Sequence, residues 1–312
     1  MPVMVLVNTK KGWHIKRCPS CKITFADPQP SDREINDYYN GMYSELASDF
    51  SEQKMQWARG SLSAYLEVIS RYGFAERRHF LDLGGGLGYC SKAAEERGLS
   101  VTLVEQDPVS AGFAKSVLGL RDVREQSIDD FCFESKGGKY DLIFLRHVIE
   151  HTRYPAKLIE CISTLLKTRG VLVVETDNNA GIELLFRLGT ARFYLRLYDS
   201  SYSPSSFLSL LIRRPFAVDP PRHLFGFRMS NLSRLLESHS LTPFKKVHYR
   251  LGHSIYWPNL PLPEVKSIAT ELLHFNWLKV IAYATDYCLS PLRLVLQVLG
   301  LSSGICIYAA KR

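Results

Sequence analysis

"FLDLGGGLGYC", residues 80–90, places Gly84, Gly85, Gly86 and Gly88 directly after an apolar run. Such a run ending in glycines reads as a buried strand turning sharply into a helix, with backbone free to approach a ligand. A dinucleotide site needs GxGxxG, and no such register can be drawn because position 89 is Tyr. A nucleoside-triphosphate loop needs GK[ST] after the glycines, and none follows. What is present is DxGxGxG, from Asp82 to Gly88. The acid disfavours a pyrophosphate; it either suits a ligand with an amino cation or caps the loop itself.

Working outward, short apolar runs alternate with amphipathic ones. "HFLDL" (79–83), "SVTLVE" (100–105), "DLIFLRH" (141–147) and "GVLVVET" (170–176) read as buried strands. A helix is expected between the first two, from about Tyr89 to Arg97. Another spans Ala156–Lys167, with Pro155 at its first position, Gly170 past its end and a stripe of Leu158, Ile159, Ile162, Leu165 and Leu166. Upstream, residues 51–73 carry apolar residues at helical spacing and stop at Gly73. Alternation of this kind predicts an α/β, doubly wound, Rossmann-like fold, with a mainly parallel sheet covered by helices on both faces.

The rhythm changes after residue 177. Residues 182–222 mix aromatics, leucines and arginines with little regularity, and a capped helix is expected from Ser230. Strands are expected at 244–251 and 304–312, separated by an apolar, helix-prone insertion over 263–301 that is broken at Pro291. Four parts follow: an N-terminal segment 1–50, a core 51–180, a lid or acceptor insertion 181–229, and a terminal part 230–312.

Composition sets the outer bounds. The chain has 312 residues, 46% apolar and 22% charged, with a formal charge of +8, enough length for a sizeable core. No run reaches the roughly 18–20 apolar residues of a membrane-spanning helix. Of seven cysteines, five stand singly in apolar segments, which points to a reducing, cytoplasmic setting rather than a disulfide framework. The positive charge favours anionic partners. The basic residues, however, are interleaved with large aliphatics and lack any nucleic-acid-binding motif, so no nucleic acid is expected.

At this point residues 79–177 resemble the core of class I S-adenosylmethionine-dependent methyltransferases. The glycine loop is similar to their first motif, and "VTLVEQDP" to their second strand ending in an acid. "KYDLIFLRHVIEH" is similar to their fourth strand with an HxxEH extension, and "ISTLLKTRGVLVVET" to the turn into their fifth, with Thr168-Arg169 for the usual Pro-Gly. The resemblance implies S-adenosyl-L-methionine as cofactor. It implies contacts from Asp82, Gly84, Gly86 and Gly88, ribose hydrogen bonds to Glu105, and an adenine contact near Ser127 and Ile128, with Asp129 two residues on. Arg146, at the end of the fourth strand, joins that set. All lie at the carboxyl edge of the sheet, where open α/β sheets bind ligands.

A hydroxyl acceptor benefits from a general base, and histidine is suited to neutral pH. His147 and His151 bracket the end of the fourth strand. His223 lies in "DPPRHLFGF", which resembles a PPxH segment of a subgroup of these enzymes. His151 has a second reading, a polar turn bonded to backbone. Cys18 and Cys21 resemble half of that subgroup's N-terminal zinc knuckle, with His14 as a third ligand; a zinc site needs four, so zinc is absent or completed by another chain. Tyr38, Tyr39 and Tyr43 would cover the cofactor or line the acceptor pocket. The arginines of 182–222 (Arg187, Arg192, Arg196, Arg213, Arg214, Arg222) and the insertion would form either a lid or a basic, apolar surface touching a membrane. The expected activity is methyl transfer to oxygen of a small-molecule, glycan or lipid-linked acceptor. Carbon or nitrogen transfer, or a non-catalytic cofactor-binding subunit, are the alternatives.

Overall fold

A computed structural model describes residues 3–39, 50–74, 78–135, 137–183, 188–198, 204–213, 216–249 and 290–312. Tyr43, Arg187, Arg214, the side chain of Arg192 and residues 263–289 of the insertion lie outside them. The central sheet has seven strands. Five are parallel: β4 (His79–Leu83), β5 (Ser100–Glu105), β6 (Val123–Glu125), β7 (Tyr140–Arg146) and β8 (Leu166–Asp177). β11 (Gly304–Lys311) pairs antiparallel with β8, and β10 (Leu241–Tyr249) antiparallel with β11. The order is β10-β11-β8-β7-β4-β5-β6. From β4 the chain moves outward through β5 and β6, then returns to β7 on the other side of β4. That reversal opens a crevice above the carboxyl ends of β4 and β7.

The central strands read as continuous apolar runs because both of their faces are covered. Leu142, Ile143, Phe144 and Leu145 of β7 are all fully buried. Alternate residues face opposite layers. Leu142 and Phe144 pack with α2 (Glu52–Arg71) and α3 (Tyr89–Glu96), where Phe144 meets Tyr65 and Phe80 edge-on at 5.0 and 4.9 Å. Ile143 and Leu145 pack with α5 (Ile128–Glu134), α6 (Pro155–Leu165) and α9 (Met229–Glu237). α4 (Pro108–Ser116) follows β5, with Pro108 in its first turn and Asp107 accepting a hydrogen bond from Ser110 N.

Several elements differ from expectation. β8 begins at Leu166, since Lys167–Arg169 continue the strand that was expected to start at Gly170. α9 starts after Arg228 rather than at Ser230, and Arg228 N donates to Asn231 Oδ1 in its first turn. The described part of residues 182–222 includes two helices, α7 (Leu188–Leu197) and α8 (Pro204–Arg213). In the insertion the described part begins with α10 (Ser290–Val298), and Pro291 lies in its first turn, where its missing N–H costs nothing.

The N-terminal segment forms a second sheet. β1 (Met4–Asn8), β2 (His14–Arg17) and β3 (Thr24–Asp27) are antiparallel, and β3 pairs with β9 (Phe225–Gly226). Leu6, Ile15 and Ala26 pack there against Tyr194, Tyr198 and Phe216. α1 (Asp32–Tyr39) then leads toward the crevice, with Arg153 bonded to Asp32 and to the Pro30 carbonyl.

Not all the single cysteines remain single. Cys132 and Cys161 form a disulfide, because α5 and α6 lie side by side on one face and bring their Cα atoms to 5.8 Å. Cys18, Cys21, Cys90 and Cys306 are free thiols. Among the described residues no helix is long and apolar enough to cross a membrane.

Candidate active site

The glycine loop leaves β4 at Leu83 and enters α3 at Tyr89, with Gly88 as N-cap. Gly84 has φ +67, and a Cβ there would stand 2.6 Å from Val148 Cγ2, so the loop is packed hard against the segment after β7. Gly86 has φ +57, and a Cβ there would project into open space. Its N–H donates to Glu105 Oε2 at 2.9 Å, while Glu105 Oε1 accepts from Asp107 N at 2.9 Å. Glu105 therefore ties the end of β5 to the loop and keeps lone pairs for a further donor. Burial pushes its pKa up against these two backbone bonds.

Asp82 is turned inward. Its Oδ2 accepts from Ser91 Oγ at 2.7 Å, and the loop folds over it so closely that a Cβ on Gly85 would fall 2.6 Å from the same oxygen. This is the loop-capping arrangement; desolvation raises its pKa. Ser127 is likewise used locally, as N-cap of α5 through Asp130 N. Ile128 follows at the helix start and lies over the Gly84 side of the loop. Arg146 ends β7 and pairs with Glu175 of β8, Nε to Oε2 3.0 Å.

Beyond β7 the chain turns at His147, which holds φ +53, an uncommon conformation for a residue with a side chain. Its Nδ1 lies 3.2 Å from Glu150 Oε1 and 3.5 Å from Asp177 Oδ1, and its Nε2 is 3.2 Å from Tyr249 Oη. Desolvation opposes charge here, but bonds to Asp177 and Glu150 prevail and push the His147 pKa up to about 10. Glu150 is fully buried; burial raises its pKa, yet the bond from His147 outweighs this and brings it down to about 2. His223 is buried within 2.8 Å of Asp219 Oδ1. Burial works against its charge, and Asp219 more than restores it, so its pKa is raised. Arg222 donates through Nε and Nη2 to the other oxygen of Asp219.

His151 differs. Its Nδ1 lies 3.0 Å from the Arg222 carbonyl oxygen, which can only accept, so Nδ1 carries the hydrogen and Nε2 the lone pair. Tyr39 Oη from α1 stands 2.8 Å from the same Nδ1. Burial lowers the His151 pKa, helped by the nearby His223 charge. The fold thus brings all three expected histidines together; the rings of His151 and His223 are 4.7 Å apart. Carboxylates raise the pKa of His147 and of His223 against burial, whereas burial lowers that of His151. A general base must be unprotonated, so the raised pKa of His147 and His223 makes them less suited to that role than His151, whose pKa is lowered.

Two groups, Glu150–His151–His223 and His147–Glu150–Asp177, have potential ligand atoms within 4.8 Å of one another. A metal would have to displace a proton from His147, whose Nδ1 is bonded to Glu150, and compete with the Asp219 carboxylate beside His223. Cys18 and Cys21 stand at the β2–β3 turn, and among the described residues no third ligand joins them. His14 is engaged with Asn8 Oδ1 at 2.8 Å. Asp177, Asp219, Glu175 and Tyr249 were not foreseen. Asp177 could have been, from its place at a strand's carboxyl end; Asp219 had a local signal too, four residues before His223.

The residues present fit S-adenosylmethionine: a carboxylate at the end of β5 with lone pairs to spare, and a glycine whose missing side chain leaves open space beside it. A family model described as a methyltransferase domain matches residues 54–242. The chain belongs to this family of methyltransferases. This methyltransferase is 29% identical over 146 residues to the ubiquinone biosynthesis O-methyltransferase of Psychrobacter cryohalolentis, covering 45% of this chain and 56% of the relative. It is 29% identical over 195 residues to the enzyme of that name from Nitrosococcus oceani, covering 61% and 78%. It thus spans little more than half the length of the Psychrobacter relatives. Among solved structures its fold is similar to Haemonchus contortus phosphoethanolamine N-methyltransferase 2, with TM-score 0.52, 16% identity, and coverage of 92% of this chain and 62% of that one. It is also similar to the plantazolicin methyltransferase BamL, with TM-score 0.50, 12% identity, and coverage of 89% and 94%.

Proposed function

We propose that this methyltransferase transfers the methyl group of S-adenosylmethionine to an oxygen of a small-molecule acceptor, with His151 as general base. The observation that carries this reading is the neutral His151 ring, its Nδ1–H anchored on the Arg222 carbonyl and its Nε2 free to take a proton. The cofactor supplies the electrophilic methyl group. Glu105 would hold the ribose hydroxyls, the open side of Gly86 would admit the cofactor, and Ile128 would lie against the adenine. His151 Nε2 would take the hydroxyl proton as the acceptor oxygen attacks. The His147 imidazolium, oriented by Glu150 and Asp177, would stabilise the negative charge developing on that oxygen. Tyr39 would close the acceptor side. The naming of the relatives as O-methyltransferases supports oxygen as the accepting atom.

A lipid-linked acceptor, with peripheral membrane contact, is supported by α7 and α8, where Phe193, Leu208 and Ile212 are exposed beside Arg196 and Arg213. Sedimentation with phosphatidylglycerol vesicles tests this part, and retention abolished by Ile212→Glu is the expected result. The cofactor reading is tested by calorimetric titration with S-adenosylhomocysteine, with NADH as control. Acceptor screening then begins with hydroxylated small molecules, sugar nucleotides and glycolipids. Binding of S-adenosylhomocysteine without turnover on any acceptor would favour a non-catalytic subunit.

A further inference from the structure

Away from the histidines and the glycine loop, a cavity of about 360 Å³ lies between α9, the start of α6 and the turn that joins β2 to β3. Its size is at the lower end of small-molecule sites, roughly 300–1,000 Å³. One helix supplies much of the wall: Asn231, Arg234 and Leu235 of α9, with Ser238 just beyond its end, recur at three- and four-residue spacing. Ile23, Phe227 and Leu235, which pack on the α5–α6–α9 layer of the core, make the wall apolar. Ala156 brings the first turn of α6 to its rim. What the wall has left to offer a ligand is donors. Arg234 gives one N–H to the chain, from Nη2 to the Cys21 carbonyl at 3.0 Å, and among the described residues no carboxylate pairs with it. Asn231 is 5% exposed; its Oδ1 accepts from Arg228 N at 2.8 Å, whereas Nδ2 finds no acceptor among the described residues. A buried amide N–H without an acceptor costs stability until one is supplied. Ser238 Oγ gives its hydrogen to the Leu235 carbonyl.

An apolar wall that carries a guanidinium and an amide N–H, and no acid, is complementary to an anion with an apolar body. The planar fork of an arginine matches a carboxylate best. We propose that this cavity binds a small monocarboxylic acid, its carboxylate on Arg234 and Asn231 and its hydrocarbon part against Ile23, Phe227 and Leu235. The occupant supplies the acceptor that Asn231 lacks and covers apolar surface that water now meets. None of the residues around the cavity belongs to the glycine loop or to the histidine cluster, so this is a second site and stands apart from the cofactor reading.

Calorimetric titration of the full chain with octanoate, octan-1-ol and acetate tests it. Octanoate is expected to bind saturably at millimolar concentration or below. Octan-1-ol and acetate should each bind about tenfold more weakly, because each supplies only one half of the match. Arg234→Gln should weaken octanoate by about tenfold and leave octan-1-ol unchanged. Ala156→Phe adds bulk at an exposed position on the rim, so it should fold normally and abolish binding of both by filling the space. Full octanoate affinity in either variant overturns the proposal. So does equal affinity of the wild type for octanoate and octan-1-ol, and so does the absence of saturable octanoate binding. S-adenosylhomocysteine enters none of these titrations, so the cofactor reading stands or falls separately.

Discussion

The Nδ1 atom of His151 lies 3.0 Å from the carbonyl oxygen of Arg222, a residue 71 positions later in the chain. A carbonyl has no proton to give, so this contact favours hydrogen on Nδ1, with Tyr39 Oη, 2.8 Å from the same atom, as a second acceptor, and it leaves Nε2 basic. His151→Ala is expected to lower kcat by about a hundred- to ten-thousandfold, the usual span for a general base. Affinity for S-adenosylhomocysteine should be unchanged. The pH profile carries the sign: a base must be unprotonated, so kcat/KM falls as pH drops through the His151 pKa. With that pKa lowered by burial, wild-type activity should persist below pH 6.5. An activity loss centred near or above pH 7 would point to another group.

Glu105 closes the loop from the other side of the crevice. Glu105→Ala removes an acceptor from Gly86 N and Asp107 N as well as from the cofactor's ribose. Affinity for S-adenosylhomocysteine is expected to fall by about ten- to a hundredfold. Unchanged affinity in calorimetry removes Glu105 from the cofactor site.

Two glycines of the loop should respond differently to the same added methyl group. Gly84→Ala meets Val148 at 2.6 Å and has to distort the packing between loop and HxxEH segment, so a clear loss of thermal stability is expected. Gly86→Ala meets no protein atom within 4 Å and costs stability only through its left-handed backbone, about 1 kcal/mol. It should nonetheless block cofactor binding, because the methyl group enters the crevice. Normal cofactor affinity in a folded Gly86→Ala protein would place the ligand elsewhere.

The His147–Glu150 pair makes stability depend on pH in two windows. His147 has its pKa raised from 6.5 to about 10, so its contribution is full below pH 6.5 and is lost as pH rises through 10. Glu150 has its pKa lowered from 4.5 to about 2, so its contribution is full above pH 4.5 and is lost as pH falls through 2. Thermal melts of wild type and His147→Gln across pH 6 to 10 should converge toward the alkaline end. A gap of constant size over that range would show the pair to be energetically silent.

Much of the core was legible because its signals are local. Phe80–Leu83 and Leu142–Leu145 had to be strands buried on both faces, and the glycines between β4 and α3 marked a sharp turn with backbone in close approach, to Val148 and Asp82 at Gly84 and Gly85 and to open space at Gly86. The α6 helix could be read from Pro155 and a single apolar stripe. The N-terminal sheet could not, since β3 finds its partner in Phe225–Gly226, some 200 positions away, and neither strand has an apolar run of its own. The Cys132–Cys161 pair was hidden for a similar reason: only the packing of α5 beside α6 brings the two together.

The crevice shows the same division. By itself, the sequence determined the parallel α/β core, the loop that admits a ligand, and the three histidines that stand near it, because periodicity, glycine spacing and strand ends are properties of short stretches. Tertiary structure alone decided what those groups can do. Asp82 became a loop brace because Ser91 turned onto it. The pKa values of His147 and His223 were raised because Asp177, Glu150 and Asp219 converge on them, and that of His151 was lowered because a desolvating pocket closes around it. Proton affinity is set by the charges and hydrogen bonds within a few ångströms, and in this chain most of those partners come from segments far apart in sequence.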